Sequence, residues 1–380
     1  MIDVSQFVKI LEADGVNFFT GVPDSLLKDF CAYIDTNIGE SRHITAASEG
    51  GAVAMATGYH LATGGVPLVY MQNSGLGNAV NPLLSLADRE VYGISMLLLI
   101  GWRGDPDGAN DEPQHIKQGR IQNALLDAME IPYTVIDKDT ADIETVIKDK
   151  IRQAKTLMNP VAIVVRKGTF SEYPAIRKER QSSFYEMTRE EAIEIILASI
   201  PDNVKVVATT GKASREVFEI RERSGNDHAS DFLTVGSMGH SSMIAFGMAI
   251  ARPNEKIVCL DGDGAAIMQL GAISIIGTMA PKNLMYIVLN NGCHESVGGQ
   301  PTVGFEIDFL AIARACGYKY AFRFYDARDL GETMKSSIEW NEPIFIEVRL
   351  KTGSRSNLGR PTITPLQNKL SFMEAFLRTE

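Results

Sequence analysis

The sequence predicts an α/β protein made of two tandem doubly wound parallel-sheet domains, and three observations carry that prediction. Short apolar runs alternate with helix-period stretches from end to end, the pattern of parallel strands covered on both faces by crossover helices. A charged, polar stretch interrupts the series once, and a second series then begins. With 380 residues, 45% of them hydrophobic and 22% charged, the chain has the length of two domains of roughly 150 to 200 residues each.

In the first half the runs VNFFT, HITAA, PLVYMQ, SMLLLI, YTVI and VAIVV read as strands separated by helical stretches, a sheet complete by Val165. The following RKGTFSEYPAIRKERQSSFYEMT is polar, rich in charge and carries Pro174, so it reads as a linker over 171–187 between domains at 1–170 and 188–380. The helix TREEAIEIILASI opens the second half, with Thr188 as N-cap and Glu191 placed to close a capping box. Strands VKVVA, FLTV, KIVCL, LMYIVLN, YAFRF and IFIEVRL follow.

Composition removes several function classes. A formal net charge of -10 argues against nucleic-acid or membrane-surface binding, because a negative field repels phosphate backbones and anionic lipid. An anionic substrate therefore needs a local pocket of donors. The four cysteines, Cys31, Cys259, Cys293 and Cys316, form no C-x-x-C pair, which speaks against a zinc ribbon or an iron–sulfur cluster and fits a reducing cytoplasm. The opening MIDVSQFVKILEADG interleaves charge with apolar residues, unlike a secretory signal, and no apolar run is long enough to span a bilayer.

The segment CLDGDGAAIMQ places an Asp-Gly-Asp-Gly turn directly after an apolar run. Three readings compete. It is a tight strand-to-helix turn in which Gly supplies the backbone freedom and Asp the cap; or the start of a dinucleotide fingerprint; or a magnesium site gripping a diphosphate. The fingerprint fails twice, since Ile267 stands at the third glycine position and the next strand ends in Asn290-Asn291 rather than an acid. Magnesium demands further oxygen ligands. Asn290, one βα unit beyond Asp263, would reach the same carboxyl-end edge, and the Gly292 carbonyl is a third candidate.

From Gly262-Asp263-Gly264 to Asn290-Asn291 the chain resembles the motif of the thiamine-diphosphate-dependent enzymes. The resemblance implies a PP domain that holds the cofactor's diphosphate through Mg2+, and a PYR domain that holds the aminopyrimidine, usually that of the partner subunit. It therefore implies a homo-oligomer, at least a dimer, with active sites between subunits. HITAASEGGAVAMATGYHLATG supplies Glu49 where the family keeps the glutamate that hydrogen-bonds the pyrimidine; the plain alternative is a carboxylate complementing a helix N-terminus. GSMGHSSMIAFGMAIA supplies Gly236 and Met238, with Met238 matching the apolar residue under the cofactor, or else ordinary core. Gly262, Gly264 and Ala265 complete the cofactor set. NSGLGNAVNPLLSL resembles the Gly-rich PYR segment, in which Gly75 and Gly77 would allow close approach across the dimer. The family's middle domain has no room between Val165 and Thr188.

Clusterless and without a middle domain, the chain resembles simple decarboxylases of 2-oxo acids. The stretches GVPDSLL, DEPQHIKQGR, NNGCHESVGGQPT and GSRSNLGRPT are similar to two-domain members acting on 3-phosphonopyruvate and, second, sulfopyruvate. The resemblance gives Asp24 and Ser25 as polar groups near the reacting carbon, or as a helix cap. It gives His115, in a polar loop and with a pKa near its ordinary value, a proton-transfer role, the alternative being a solvated histidine. His294, Glu295 and Ser296 are candidates to flank the substrate. A phosphonate needs a donor cluster. Arg355 and Arg360 in KTGSRSNLGRPT offer one unless they tie the tail down, in which case Ser25, His115, Lys117 and Arg120 are the reserve. A nicotinamide dehydrogenase and an inactive regulatory subunit are the competing classes.

Overall fold

Apolar runs that stay apolar residue after residue bury both faces of a strand, and the computed structural model, which describes residues 1–174 and 184–377, folds them into two six-stranded parallel sheets. One unit comprises Met1–Lys178 with Ser296–Gln300, the other Glu179–Glu295 with Pro301–Glu380.

In the first unit the strands are Phe19–Gly21 (β1), His43–Thr45 (β2), Leu68–Gln72 (β3), Met96–Gly101 (β4), Tyr133–Ile136 (β5) and Pro160–Val165 (β6), in the order β2-β1-β3-β4-β6-β5. The central β4 shows why its sequence does not alternate: Leu97 and Leu99 pack with Phe7 and Phe30 on one face, Leu98 and Ile100 with Ala52 and Leu76 on the other. The second unit has Lys205–Ala208 (β7), Asp231–Leu233 (β8), Ile257–Gly262 (β9) and Leu284–Asn290 (β10), then the two-residue strand Cys293–His294 (β11), and, after the two-residue strand Gln300–Pro301 (β12), which begins at the last residue of the segment Ser296–Gln300, Tyr320–Phe324 (β13) and Ile344–Arg349 (β14). Its sheet runs β13-β14-β10-β9-β7-β8. Along β10, Met285, Ile287 and Leu289 face one core and Tyr286 and Val288 the other.

Numbered by appearance within each sheet, the two strand orders are the same, so the tandem reading holds at the level of topology. In both, the first strand along the chain lies between the second and the third, and the chain leaves that strand in opposite directions. Such a switch point opens a crevice at the carboxyl ends of the strands, where α/β sheets take ligands.

Local signals fix the helix that matters most in each unit. Ser48 caps Glu49–Thr63 by accepting from Gly51 N, and Gly64 ends it in the left-handed conformation at φ +69°. The Thr188–Glu191 capping box is formed at Arg189–Ser199. Of the linker, 175–183 lies outside the described residues. Ser171 and Tyr173 are tied to the first unit instead, Ser171 N donating to Ile2 O at 2.9 Å and Tyr173 N to Asp29 at 3.1 Å. The expectation of a loop at His115 is corrected: the residue sits in the first turn of the helix Pro113–Ala128, with Pro113 at its start, where a fixed φ and a missing N–H are both suited. Among the described residues no helix is long and apolar enough to cross a membrane.

Candidate active site

In the first unit, hydrogen bonds join the loops that follow β1, β2, β3 and β4. Glu49, the first residue of its helix and 5% exposed, accepts from Asn78 Nδ2 at 2.9 Å through Oε2. Its other oxygen lies against Gly75, where a Cβ would stand 2.5 Å from Oε1. Gly75 thus permits close approach, but to Glu49 of its own unit; nothing within 4 Å constrains Gly77.

Asp24, fully buried after β1, accepts from Gln72 Nε2 at 2.6 Å and from Leu26 N at 3.1 Å. Burial raises its carboxyl above the ordinary carboxylate range against those bonds and the charge of Arg103. It is not a helix cap, since the next helix starts at Lys28 with no side-chain cap. Ser25 Oγ accepts from Arg103 Nη1 at 2.8 Å. Arg103 is held in turn by Asp111, whose Oδ2 accepts from Arg103 Nε at 2.7 Å, and by Asn73, which bonds both its N–H and its carbonyl. His115 is buried, and its Nδ1 has no hydrogen-bond partner among the described residues. Burial, helped by the nearby Arg103 charge, pushes its imidazole down to about 4, so the ring is neutral at pH 7 and the expectation of an ordinary value is corrected. Lys117 and Arg120 point to solvent from the same helix.

In the second unit β9 runs directly into the helix Asp263–Met268, with Gly262 as its N-cap residue. Asp263 is 2% exposed, accepts a short hydrogen bond from Thr302 Oγ1, and has its carboxyl pushed up to about 6 by burial. No ion pair reaches it among the described residues. Asn290 ends the neighbouring strand β10. A Cβ at Gly304 would stand 2.7 Å from Asp263 Oδ2 and 2.7 Å from Asn290 Oδ1, so the two oxygens lie at most twice that distance apart around a space that only glycine leaves open. The Gly292 carbonyl accepts from Thr302 N at 3.0 Å, keeping a second lone pair. Among the described residues no three His, Cys, Asp or Glu side chains gather as a metal site. The donor set here is one carboxylate, one amide oxygen and one carbonyl, which fits a hard cation completing its shell with water and phosphate oxygens.

Beside this cradle, Gly264 supports two side chains: a Cβ there would meet His294 Cε1 at 2.7 Å and Met238 Cε at 3.4 Å. Met238 is presented by a turn in which Ser237 and Gly239 both take positive φ, +58° and +87°, an uncommon conformation for serine. Gly236 lies in the same turn, and Ala265 is buried one residue past Gly264. Burial pushes the His294 imidazole down to about 4. Glu295 accepts from Asn291 Nδ2 at 3.1 Å and Gly353 N at 2.6 Å and pairs with Arg189, which also binds Glu216 through Nε at 2.7 Å and Nη2 at 2.8 Å.

In the tail, Arg355 takes the tying contacts that the sequence leaves as its alternative. Arg355 gives its guanidinium to Glu190 at 2.8 Å and to Glu219 in a short contact, and Ser354 accepts from Lys212 at 2.7 Å, so this arginine ties the tail to two helices of its unit and has no fork left for a phosphonate. Arg360 is exposed. Thr302, Gly304, Gln72 and Arg103 touch the candidate site residues, Asn73 and Asp111 reach them through Arg103, and none was singled out from the sequence. Asn73, Asp111 and Thr302 fall in stretches that carry the family resemblance, and Gly304 stands close beyond Asn290; Gln72 and Arg103 carried no signal of their own.

Two family models match the chain: the N-terminal TPP binding domain of thiamine pyrophosphate enzymes over residues 4–131 and the C-terminal TPP binding domain over 209–348. Phosphonopyruvate decarboxylase of Streptomyces viridochromogenes is 33% identical over 100% of this chain and 96% of its own length. The protein of the same name from Streptomyces hygroscopicus is 32% identical over 98% of this chain and 94% of that one. Sulfopyruvate decarboxylase of Methanosarcina acetivorans is 27% identical over 91% of each.

Proposed function

The chain belongs to the thiamine pyrophosphate-dependent decarboxylases, and on that premise we propose that it converts 3-phosphonopyruvate to phosphonoacetaldehyde and carbon dioxide, in the biosynthesis of phosphonates such as 2-aminoethylphosphonate. The observation that carries the substrate assignment is full-length similarity, at 33% and 32% identity, to two phosphonopyruvate decarboxylases. The sulfonate analogue is the second reading, favoured by a relative at 27% over nearly the same span.

The bond between the carboxyl and carbonyl carbons breaks, its electron pair stays on the carbonyl carbon, and a proton takes the place of carbon dioxide. Bound thiamine diphosphate supplies the electron sink for that pair. Asp263, Asn290 and the Gly292 carbonyl are assigned to Mg2+. Gly262, Gly264 and Ala265 would contact the diphosphate, and Met238 and Gly236 would help to hold the rest of the cofactor. In the first domain, over 1–170, Glu49 would hydrogen-bond the aminopyrimidine and exchange a proton with it. Ser25 and the neutral imidazole of His115 would donate to substrate oxygens, with buried Asp24 ordering the loop that carries Ser25; His294 and Arg360 complete the candidate set. Because Glu49 and Asp263 belong to different domains, and the family shares each cofactor between two chains, the protein is assigned at least a homodimer.

The test is a panel of 2-oxo acids, 3-phosphonopyruvate, sulfopyruvate and pyruvate, each with thiamine diphosphate and Mg2+. A kcat/KM highest for 3-phosphonopyruvate is expected. A preference for sulfopyruvate transfers the assignment to the second reading.

A further inference from the structure

The Asn290 side chain meets two groups that accept hydrogen bonds: the Gly304 carbonyl, 2.6 Å from Nδ2, and Oε1 of the Glu347 carboxylate, 2.7 Å from the same nitrogen. An amide must turn its NH2 toward such partners. Its oxygen then faces away from them, where it accepts from Gly292 N at 3.1 Å and borders the cradle shared with Asp263. Without Glu347 the amide would lose the charged one of the two acceptors on its NH2, and only the neutral Gly304 carbonyl and the longer contact from Gly292 N would hold Oδ1 toward the cradle.

Glu347 is an unusual residue for its place. It is fully buried in β14, between Ile346 and Val348, on a strand whose other residues are almost all apolar, and a carboxylate there is costly to desolvate. Packing alone would favour a third aliphatic side chain. Its partners hold it still: Arg323 Nε on β13 donates to Oε2 at 2.6 Å, and Arg349 Nε stands 2.5 Å from Oε1. The register of β14 against β10 sets Val288 opposite Glu347 and Asn290 opposite Arg349. The Arg349 guanidinium lies 4.9 Å over the Phe305 ring, next to Gly304, so the same group that steadies the carboxylate also steadies the loop supplying the second acceptor.

We propose that Glu347 is a positioning residue for the cation: it orients the Asn290 amide so that Oδ1, not Nδ2, faces Asp263, and in this way it sets the affinity of the site for Mg2+. The inference rests on the assignment of Asp263 and Asn290 as ligands of Mg2+ with thiamine diphosphate. Groups that orient metal ligands typically change affinity by about 10 to 100-fold when replaced.

The experiment is calorimetric titration of thiamine diphosphate into the intact protein at stepped Mg2+ concentrations, which yields the half-saturating Mg2+, together with thermal melts. Glu347→Gln is expected to raise the half-saturating Mg2+ by about tenfold or more. Asn290→Asp is expected to raise it too, since two carboxylates then face each other across a buried contact. In the double variant Asn290→Asp/Glu347→Gln one amide again faces one carboxylate, and half-saturation should lie nearer the parent than in either single variant. A purely structural Glu347 would lower the melting temperature, leave half-saturation of the folded protein within about twofold of the parent, and make the double variant worse than the singles; that result overturns the inference. If Glu347→Gln alone does not fold, a double variant that also fails to fold, or that binds no better than Asn290→Asp, overturns it. A parent protein that takes up no thiamine diphosphate with Mg2+ removes the cofactor assignment and this inference with it. Normal uptake in the parent with an unaffected Glu347→Gln removes this inference alone.

Discussion

Glu49 brings a carboxyl group to a buried helix start where a single amide, Asn78 Nδ2, answers it and Gly75 makes room for it. A residue placed only to complement a helix N-terminus would be solvated and contribute about 0.3 to 1 kcal/mol; this one is set aside from water. Glu49→Gln is expected to keep the shape and the cofactor while slowing turnover by about 100-fold or more, the usual range for losing a positioned acid or base. Cofactor uptake and kcat measured on one preparation decide it, and an unchanged kcat refutes the role. His115 predicts a stability effect. Its folded value, about 4, is below the ordinary 6.5, so between those values the unfolded chain binds a proton that the folded chain does not. Stability therefore falls as the pH drops through that window and is unaffected by this group above it. His43 and His294 are pushed down in the same way, so His115→Gln should flatten, but not abolish, the loss of melting temperature between about pH 6.5 and pH 4. An equal slope in the variant would count against a buried neutral ring.

At the scale of elements, strands were readable because burial on both faces writes an unbroken apolar run, as in β4 and β10. The capping box at Thr188 was readable because its two partners are close in sequence. Thr188→Ala is expected to cost about 1 kcal/mol, measurable as a lower denaturation midpoint, and no change would mean that the second unit does not rely on that helix start. The helix at His115 was hidden by the polar GDPDGANDEPQH that precedes and opens it, although Pro113 at its first position was a usable signal. The sequence leaves the two readings of Arg355 open for a different reason. Its partners Glu190 and Glu219 are 165 and 136 residues away, and no spacing rule reaches that far. Glu347 was invisible on the same ground: its meaning depends on Asn290, in the adjacent strand but 57 residues distant. The Asp263–Asn290 pair could be read because one βα unit separates two neighbouring strands.

At the scale of the whole molecule, one topology is used twice, and each copy presents polar groups at the carboxyl ends of its strands, near a switch point. Glu49, proposed to handle the proton, lies in one copy, and Asp263 and Asn290, proposed to hold the cation, lie in the other. A dimer, in which each cofactor is held by two chains, is expected; light scattering on the active species reads it, and a fully active monomer contradicts it. The central claim is that these two copies together form a cation-dependent carboxy-lyase for a phosphonate. Phosphorus NMR of 3-phosphonopyruvate with the protein, thiamine diphosphate and Mg2+, with carbon dioxide measured alongside, tests it most directly. Phosphonoacetaldehyde and carbon dioxide should appear in equal amounts, and both should stop when the cation is chelated or when Asp263 is replaced by alanine. Unconsumed 3-phosphonopyruvate, or turnover that persists in the Asp263→Ala variant, would contradict the account.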